Sequence, residues 1–423
     1  MPGHKGRGPL GCEALDITEI FGADTLYSAD GIIDESERYA SRLFGTAKSF
    51  YSTEGSTLAI RAMLAAALAN TRKNTARPLV LATRGAHKAF ITAAALIDFD
   101  IEWISSAGAH IASCAVCADD VRRALSCGKK FDAVYLTSPD YLGNISPIKE
   151  ISAVCREFSV PLLVDNAHGT YLAFLKPSSH PIALGADMCC DSAHKTLPVL
   201  TGGAYLHIAR GSEKYIPLAR AQLSLFASTS PSYLILQSLD LCNSYIADGY
   251  AEKLSDTVIK INSVKEKIRA HGILVLDTEP LKIVIAPRSF GYTGAKLADH
   301  LRECGIEVEF SDGEYTVLMA TPENADADFA RLSTAIKGMP QRSPLPEILK
   351  MPAGVPKKAN TVREAMLSES ERVSLHEALG RVCAVPTVSC PPAVPIAVSG
   401  EIIDSRVIEL CKIYGIENIE VIK

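Results

Sequence analysis

Between residues 47 and 190, short apolar runs alternate with longer helix-forming ones, and this alternation restricts the fold more than any other feature of the chain. Continuous apolar runs predict strands at 47–51, 78–82, 101–104, 133–137, 162–164 and 188–190. Helices are expected at 34–44, 56–69, 90–97, 119–127 and 148–158. Strand and helix in turn predict an α/β domain whose mainly parallel sheet is covered by helices on both faces. Ligands of such sheets bind beyond the carboxyl ends of the strands. Gly55, His87, Asp165 and Lys195 stand at or just beyond those ends, so the pattern predicts that they meet.

Each of the four has a plain use and a chemical one. Lys195 lies in Ser192-Ala193-His194-Lys195-Thr196 between two mostly apolar runs, where a residue type that is normally solvated is out of place. Asp165 follows the strand ending at Val164 and opens Asp165-Asn166-Ala167-His168-Gly169. It is either a turn-capping acid or a charge held for chemistry. The turn Ser52-Thr53-Glu54-Gly55 runs into Ser56-Thr57 and an alanine-rich helix. The amides at such a start suit a phosphate, and Ser56 or Thr57 equally suits an ordinary N-cap. His87 follows a strand in Arg84-Gly85-Ala86-His87-Lys88, and a single histidine is commonly structural.

In this order and spacing the stretches resemble the signature of fold-type-I pyridoxal-phosphate enzymes, and more narrowly that of the Orn/Lys/Arg decarboxylase family. The resemblance covers most of the chain, with Pro2-Gly3-His4-Lys5-Gly6, Asp16-Ile17-Thr18-Glu19, Thr229-Ser230-Pro231-Ser232-Tyr233 and Pro391-Pro392 among its motifs. The chain starts inside the first of these motifs, so either the start is truncated or the leading element is dispensable, and the resemblance is to a short form lacking an amino-terminal wing domain. The resemblance implies pyridoxal 5'-phosphate captured by the Lys195 amine, with the cofactor as electron sink. It implies Asp165 on the ring nitrogen, His87 stacked on one ring face and Ala167 against the other. Gly55, Ser56, Thr57 and Ser192 become phosphate contacts, and His194 and His168 further contacts around the lysine and the ring. Thr229 and Ser230 resemble the segment that reaches the phosphate of the neighbouring subunit, which implies a homodimer with shared active sites and leaves a higher oligomer open.

The implied reaction is α-decarboxylation of arginine, lysine or ornithine to agmatine, cadaverine or putrescine, as in polyamine biosynthesis. Glu19 and Asp24 are candidates for the acid that recognises the cationic side chain, and also plausible surface acids. A fold-type-I aminotransferase or lyase would use the same lysine and aspartate, and a non-catalytic paralogue would keep the fold alone.

The chain divides on paper into an N-terminal segment (1–30), a cofactor-binding large domain (31–250), a small α+β domain (251–340), and a linker with a C-terminal domain (341–423). In the small domain, helices are expected at 257–271, 294–304 and 325–337, with strands at 274–276, 282–286, 307–310 and 316–320. Residues 218–230 read as a serine-rich bridge before a long helix at 231–251. A length of 423 residues with 48% hydrophobic side chains supports more than one core. A net charge of −5 argues against nucleic acid. Twelve cysteines without a regular framework suggest a reducing compartment. Cys114 and Cys117 lack a second pair, so no metal site is expected. The start of the chain has no apolar signal segment and 58–69 is too short to span a bilayer, so a cytoplasmic protein without membrane contact is expected.

Overall fold

The computed structural model describes all residues except 70, 72–76, 105–109, 111, 115, 347–353 and 391–393, so the Pro391-Pro392 motif lies outside the described residues. The chain forms two compact units. The first comprises Met1–Ile104, Val116–Ser138 and Ser146–Tyr250. The second comprises Ser105–Ala115, Pro139–Ile145 and Ala251–Lys423, so the stretches expected as 251–340 and 341–423 fall together.

The first unit begins with helix α1 (Ile32–Phe44), whose acidic first turn and left-handed Gly45 after its last turn are sound helix punctuation. Strand β1 (Lys48–Ser52) and helix α2 (Gly55–Leu68) follow. Next come β2 (Leu79–Thr83), α3 (Lys88–Ile97), β3 (Asp100–Ile104), α4 (Ala118–Leu125), β4 (Ala133–Thr137) and α5 (Ile148–Glu157). Then β5 (Leu162–Asp165), β6 (Met188–Asp191), the short turn α6 (Ala193–Thr196) and β7 (Ala204–Ile208) complete the sheet. Helices α7 (Ile216–Phe226) and α8 (Tyr233–Ala247) close the unit.

The seven strands lie in the order β1-β7-β6-β5-β4-β2-β3. Strand β7 runs antiparallel to both of its neighbours, and the β2, β3, β4, β5 and β6 pairings are all parallel, so the sheet is mainly parallel as the pattern predicts. Strands covered on both faces read as unbroken apolar runs. Accordingly Ala133, Val134, Tyr135 and Leu136 of β4 are all fully buried. Small side chains let α2 pack closely on β6, β7 and α7, and ten of its fourteen residues are buried.

Two expectations need correction. Residues 218–226 are not a bridge: the apolar periodicity of Ile216–Phe226, with Pro217 in the first turn, makes helix α7, and the serine-rich connection shrinks to the residues after it. Strand β7 falls in a stretch not assigned to any element, because the glycine pair before Ala204 and the histidine inside the run mask a five-residue buried strand.

The second unit carries α9 (Tyr250–Ala270), β8 (Leu274–Leu276), β9 (Lys282–Ala286), α10 (Gly294–Glu303), β10 (Phe310–Ser311), β11 (Thr316–Met319) and α11 (Asp326–Lys337). Its four strands form an antiparallel sheet in the order β10-β11-β9-β8. One apolar cluster joins Val284, Phe310 and Val317 of that sheet to Ile396, Val407 and Val421 of the C-terminal elements. Inside this unit the fully buried Lys282 is neutralised by Glu279 at 2.9 Å and donates to the Asp140 carbonyl at 3.0 Å. No helix among the described residues is long and apolar enough to cross a membrane.

Candidate active site

The first unit brings the predicted residues together at the carboxyl ends of β5 and β6 and the start of α2. Strand β6 ends at Asp191 and the chain turns at once into α6, whose third residue is Lys195. The half-buried amine of Lys195 lies 2.9 Å from Nε2 of His168. His168 belongs to the turn after β5, which is closed by the Gly169 N–H donating to the Asn166 carbonyl at 2.8 Å. Lysine and aspartate loops are thus placed side by side through a residue three positions beyond Asp165.

Asp165 is the last residue of β5 and is 2% exposed. Its carboxylate accepts from the Tyr135 hydroxyl at 3.1 Å and from the Ala167 N–H at 3.2 Å, with the Cys190 thiol at 3.6 Å. Burial first, and the Asp165 charge second, push the Tyr135 phenol well above its ordinary range. Tyr135 therefore stays a donor to Asp165 at any working pH. Sequence reasoning missed Tyr135, whose only signal is one hydroxyl inside an apolar strand.

His87 is the N-cap of α3, and its Nδ1 accepts from the Ala89 N–H at 3.2 Å, which places the proton of the neutral ring on Nε2. Burial is the main cause that pushes the imidazole below its ordinary value; the charges of Lys195 and Lys88 add to it and that of Asp165 opposes it. His87 thus senses both predicted partners and is held towards the neutral ring.

Gly55 opens α2 with φ +69, and its N–H donates to the Gly202 carbonyl at 2.7 Å. Gly202 has φ +100, and a Cβ there would come within 2.8 Å of the Thr53 carbonyl oxygen, so this approach requires glycine. The start of α2 has no side-chain cap. Ser56 does not cap it either: its Oγ accepts instead from the Ser192 hydroxyl at 2.8 Å, which ties the start of α2 to the residue three before Lys195. Thr57 is half-buried in the first turn. The ordinary N-cap reading of this serine is therefore set aside: the Gly55 N–H goes to a backbone carbonyl, and no side chain caps the start of α2.

Other predicted residues are used differently. His194 donates from Nδ1 to the Gly203 carbonyl at 2.9 Å and so anchors α6 to the turn before β7. Thr229 and Ser230 are exposed, although the neighbouring Ser228 N–H donates to Glu54 at 2.7 Å, one residue before α2. His4 and Asp16, from two of the resembling motifs, meet at 3.2 Å. Asp24 is a correction: its carboxylate accepts backbone N–H groups of Thr25, Gly31 and Ile33 at 2.8–2.9 Å and so organises the entry to α1. Those bonds outweigh burial, its largest single influence, and hold its carboxyl below the usual range; a carboxylate so engaged is a local cap and not a receptor for a substrate cation. Glu19 is exposed.

The arrangement fits pyridoxal phosphate on three counts. An amine meets the turn that follows a buried carboxylate, and that carboxylate accepts from a tyrosine. A fourteen-residue helix starts without a side-chain cap, beside a serine on the lysine loop. The histidine between them is driven towards its neutral form.

Comparison with known proteins agrees with this geometry. Residues 13–288 match the family model described as the Orn/Lys/Arg decarboxylase major domain, and residues 345–414 match the C-terminal domain of the same family. An arginine decarboxylase of Bacillus subtilis (strain 168) is 30% identical over 440 residues, covering 95% of this chain and 87% of that protein. An arginine decarboxylase of Halalkalibacterium halodurans is 28% identical over 440 residues, with the same 95% and 87% coverage. Among solved structures, the constitutive lysine decarboxylase of E. coli superposes with a TM-score of 0.79 at 18% identity, over all of this chain and 79% of that one. At that identity the likeness shows the fold, which is fold type I. With models matching well over half of its residues, the chain belongs to the Orn/Lys/Arg decarboxylase family.

Proposed function

We propose that this amino-acid decarboxylase removes the α-carboxyl group of a basic amino acid with pyridoxal phosphate as cofactor. The observation that carries the reading is the meeting of Lys195 with the turn bearing Asp165, at 2.9 Å through His168. Bound cofactor supplies an electron sink for the pair left behind when carbon dioxide departs. Every other task falls to this chain. Lys195 would present its amine to the cofactor aldehyde, with His168 at 2.9 Å as the neighbour that can take or return a proton at Nζ. Asp165, with the Tyr135 hydroxyl donating to it, would hold a proton on the ring nitrogen. The first-turn amides of α2 with Ser56, Thr57 and Ser192 would hold the phosphate, and Gly55 permits its close approach. His87 would cover one ring face and Ala167 the other, excluding water from the reacting carbon.

The homodimer with shared sites rests on the resemblance of Thr229 and Ser230 to the segment that crosses between subunits. Exposed apolar side chains of the first unit support it, above all Phe21 with Leu10, Ile20, Leu225 and Leu241. Arginine is the first substrate to test because the relatives named above carry that activity in their names; lysine and ornithine follow. Incubation of the holoenzyme with each amino acid, with mass detection of agmatine, cadaverine and putrescine, is expected to give one amine and carbon dioxide. Borohydride is expected to fix the cofactor on the Lys195 peptide. A keto acid in place of an amine, or label on another lysine, would overturn the reading.

A further inference from the structure

On one side of the sheet, within the first unit, three potential ligands converge that the proposed chemistry does not use. Asp191 ends β6, His207 lies on the neighbouring β7, and His180 comes from the loop before β6. All three are buried, at 1% exposure or less. One nitrogen from each ring and one carboxylate oxygen lie within 4.8 Å of one another. His180 Nε2 is 3.0 Å from Asp191 Oδ2, and His207 Nε2 is 3.4 Å from the same oxygen. Donor atoms of a tetrahedral ion bound at about 2.1 Å lie roughly 3.4 Å apart, so the spacing suits a shared ion.

A second observation points the same way. His207 Nδ1 is engaged with the Ser49 hydroxyl at 2.8 Å, whereas its buried Nε2 makes no hydrogen bond among the described residues. If Ser49 donates to Nδ1, the proton of the neutral ring sits on Nε2 and faces the Asp191 oxygen at 3.4 Å without making a hydrogen bond; if Ser49 accepts, a lone pair on Nε2 faces that carboxylate. A cation among the three would give that nitrogen a partner in either case. Beside them Cys189, two residues before Asp191 and paired with His207 across the strands, places Sγ 3.3 Å from Asp191 Oδ1 and 4.0 Å from His180 Nε2.

We propose that His180, Asp191 and His207 form a binding site for one divalent transition ion of the zinc class, with the Cys189 sulfur, which stands outside that 4.8 Å cluster, drawn in as fourth ligand on binding. Two imidazoles and a thiolate select such an ion over calcium or magnesium, which prefer oxygen. The ligand set is the closed, water-free kind of a structural site. Binding releases the thiol proton of Cys189 and moves the His180 proton from Nε2 to Nδ1, displacing the 3.4 Å contact with the Ile182 N–H. Asn166 donates to Asp191 Oδ1 at 2.8 Å, so the ion would brace the turn that starts with Asp165. The expectation of no metal site considered cysteine pairs only; these ligands come from a loop and two strands, with no motif spacing to reveal them.

The test needs no enzyme activity. Protein made in zinc-supplemented medium and washed with chelator is expected to retain one zinc per chain by elemental analysis. X-ray absorption is expected to show two imidazoles and one sulfur around it. Protein refolded in chelator should melt at a lower temperature than protein refolded with zinc. Asp191→Asn and His207→Gln should each lose the zinc. Folded wild-type protein with no zinc above background overturns the proposal, and so does absorption without imidazole scattering or zinc retained in both variants. Should the variants fail to fold, the metal content and absorption of the wild-type protein still decide.

Discussion

Tyr135→Phe tests how the candidate site is held together. The substitution removes one oxygen and keeps a ring that stacks on Phe90 with centroids 4.3 Å apart, so packing in β4 is preserved. What is lost is the 3.1 Å bond from a fully buried hydroxyl to the Asp165 carboxylate. A hydrogen bond to a charged group contributes about 1.5–3 kcal/mol, and removing it from a buried acceptor leaves that acceptor unsatisfied. If Asp165 must stay ionised against the ring nitrogen, that loss appears in the chemical step. At about 1.4 kcal/mol per decade it corresponds to a fall of roughly ten- to a hundredfold in kcat. KM should change far less, because Tyr135 acts through Asp165 and is not expected to touch the substrate. The assay is initial-rate carbon dioxide release with saturating cofactor, alongside the melting temperature and borohydride labelling of Lys195. A variant that melts lower but keeps kcat within about twofold, against the ten- to hundredfold loss expected of a charge-assisted bond, would refute the reasoning. Tyr135 would then be a core residue whose hydroxyl merely satisfies a neighbour.

Further outcomes follow from the same geometry. Asp165→Asn should keep the fold and the Lys195 label yet lose kcat by more than Tyr135→Phe, because the carboxylate itself is gone; near-normal turnover would make the acid a turn residue. Inactive Lys195→Ala chains mixed with inactive Thr229→Ala/Ser230→Ala chains should regain activity at limiting cofactor, since one site in a mixed dimer then has both intact contributions; no rescue despite proven subunit exchange would favour self-contained sites. His87 has a lowered folded-state pKa, so between that value and its unfolded value of about 6.5 the unfolded chain binds more protons. Its contribution to stability is complete above the unfolded pKa and is lost as pH falls below it. The melting temperature of cofactor-free protein should therefore drop with acidification through this window, and less steeply in His87→Phe; an unchanged slope would remove His87 as a source.

Much of this was legible because the strands of a parallel sheet are buried on both faces. Residues 133–137 and 162–164 are unbroken apolar runs, and the residue that ends each such run is where function collects. Asp165 and Lys195 stood out as charges placed against that background. What stayed hidden depends on partners distant in sequence. Nothing near Ser56 says that its hydroxyl will meet Ser192 and leave α2 uncapped. Asp24 looks like any surface acid until the chain folds back and offers it the amides of Gly31 and Ile33. His207 concealed β7, because a histidine inside Ala204–Ile208 breaks the apolar signal although the strand buries it against the Ser49 hydroxyl. Helix α7 was hidden by composition, its serines and the following loop outweighing the spacing of Ala219 and Leu223.

The sheet order also governs when the protein can assemble during synthesis. Strand β1 pairs only with β7, matching Lys48 to Ile208 across nearly the whole first unit. At roughly 5–20 residues per second, the ribosome delivers β7 some tens of seconds at most after β1. Through that interval the earliest strand of the nascent chain has an open edge, the kind that recruits other strands or chaperones. Gly55 likewise waits for the carbonyl of Gly202, and Ser56 for Ser192, so the start of α2 is complete only after the lysine loop has emerged. A ribosome-bound chain halted before β7 should therefore be protease-sensitive around β1 and blind to the cofactor, even though the strands from β2 to β6 are already complete.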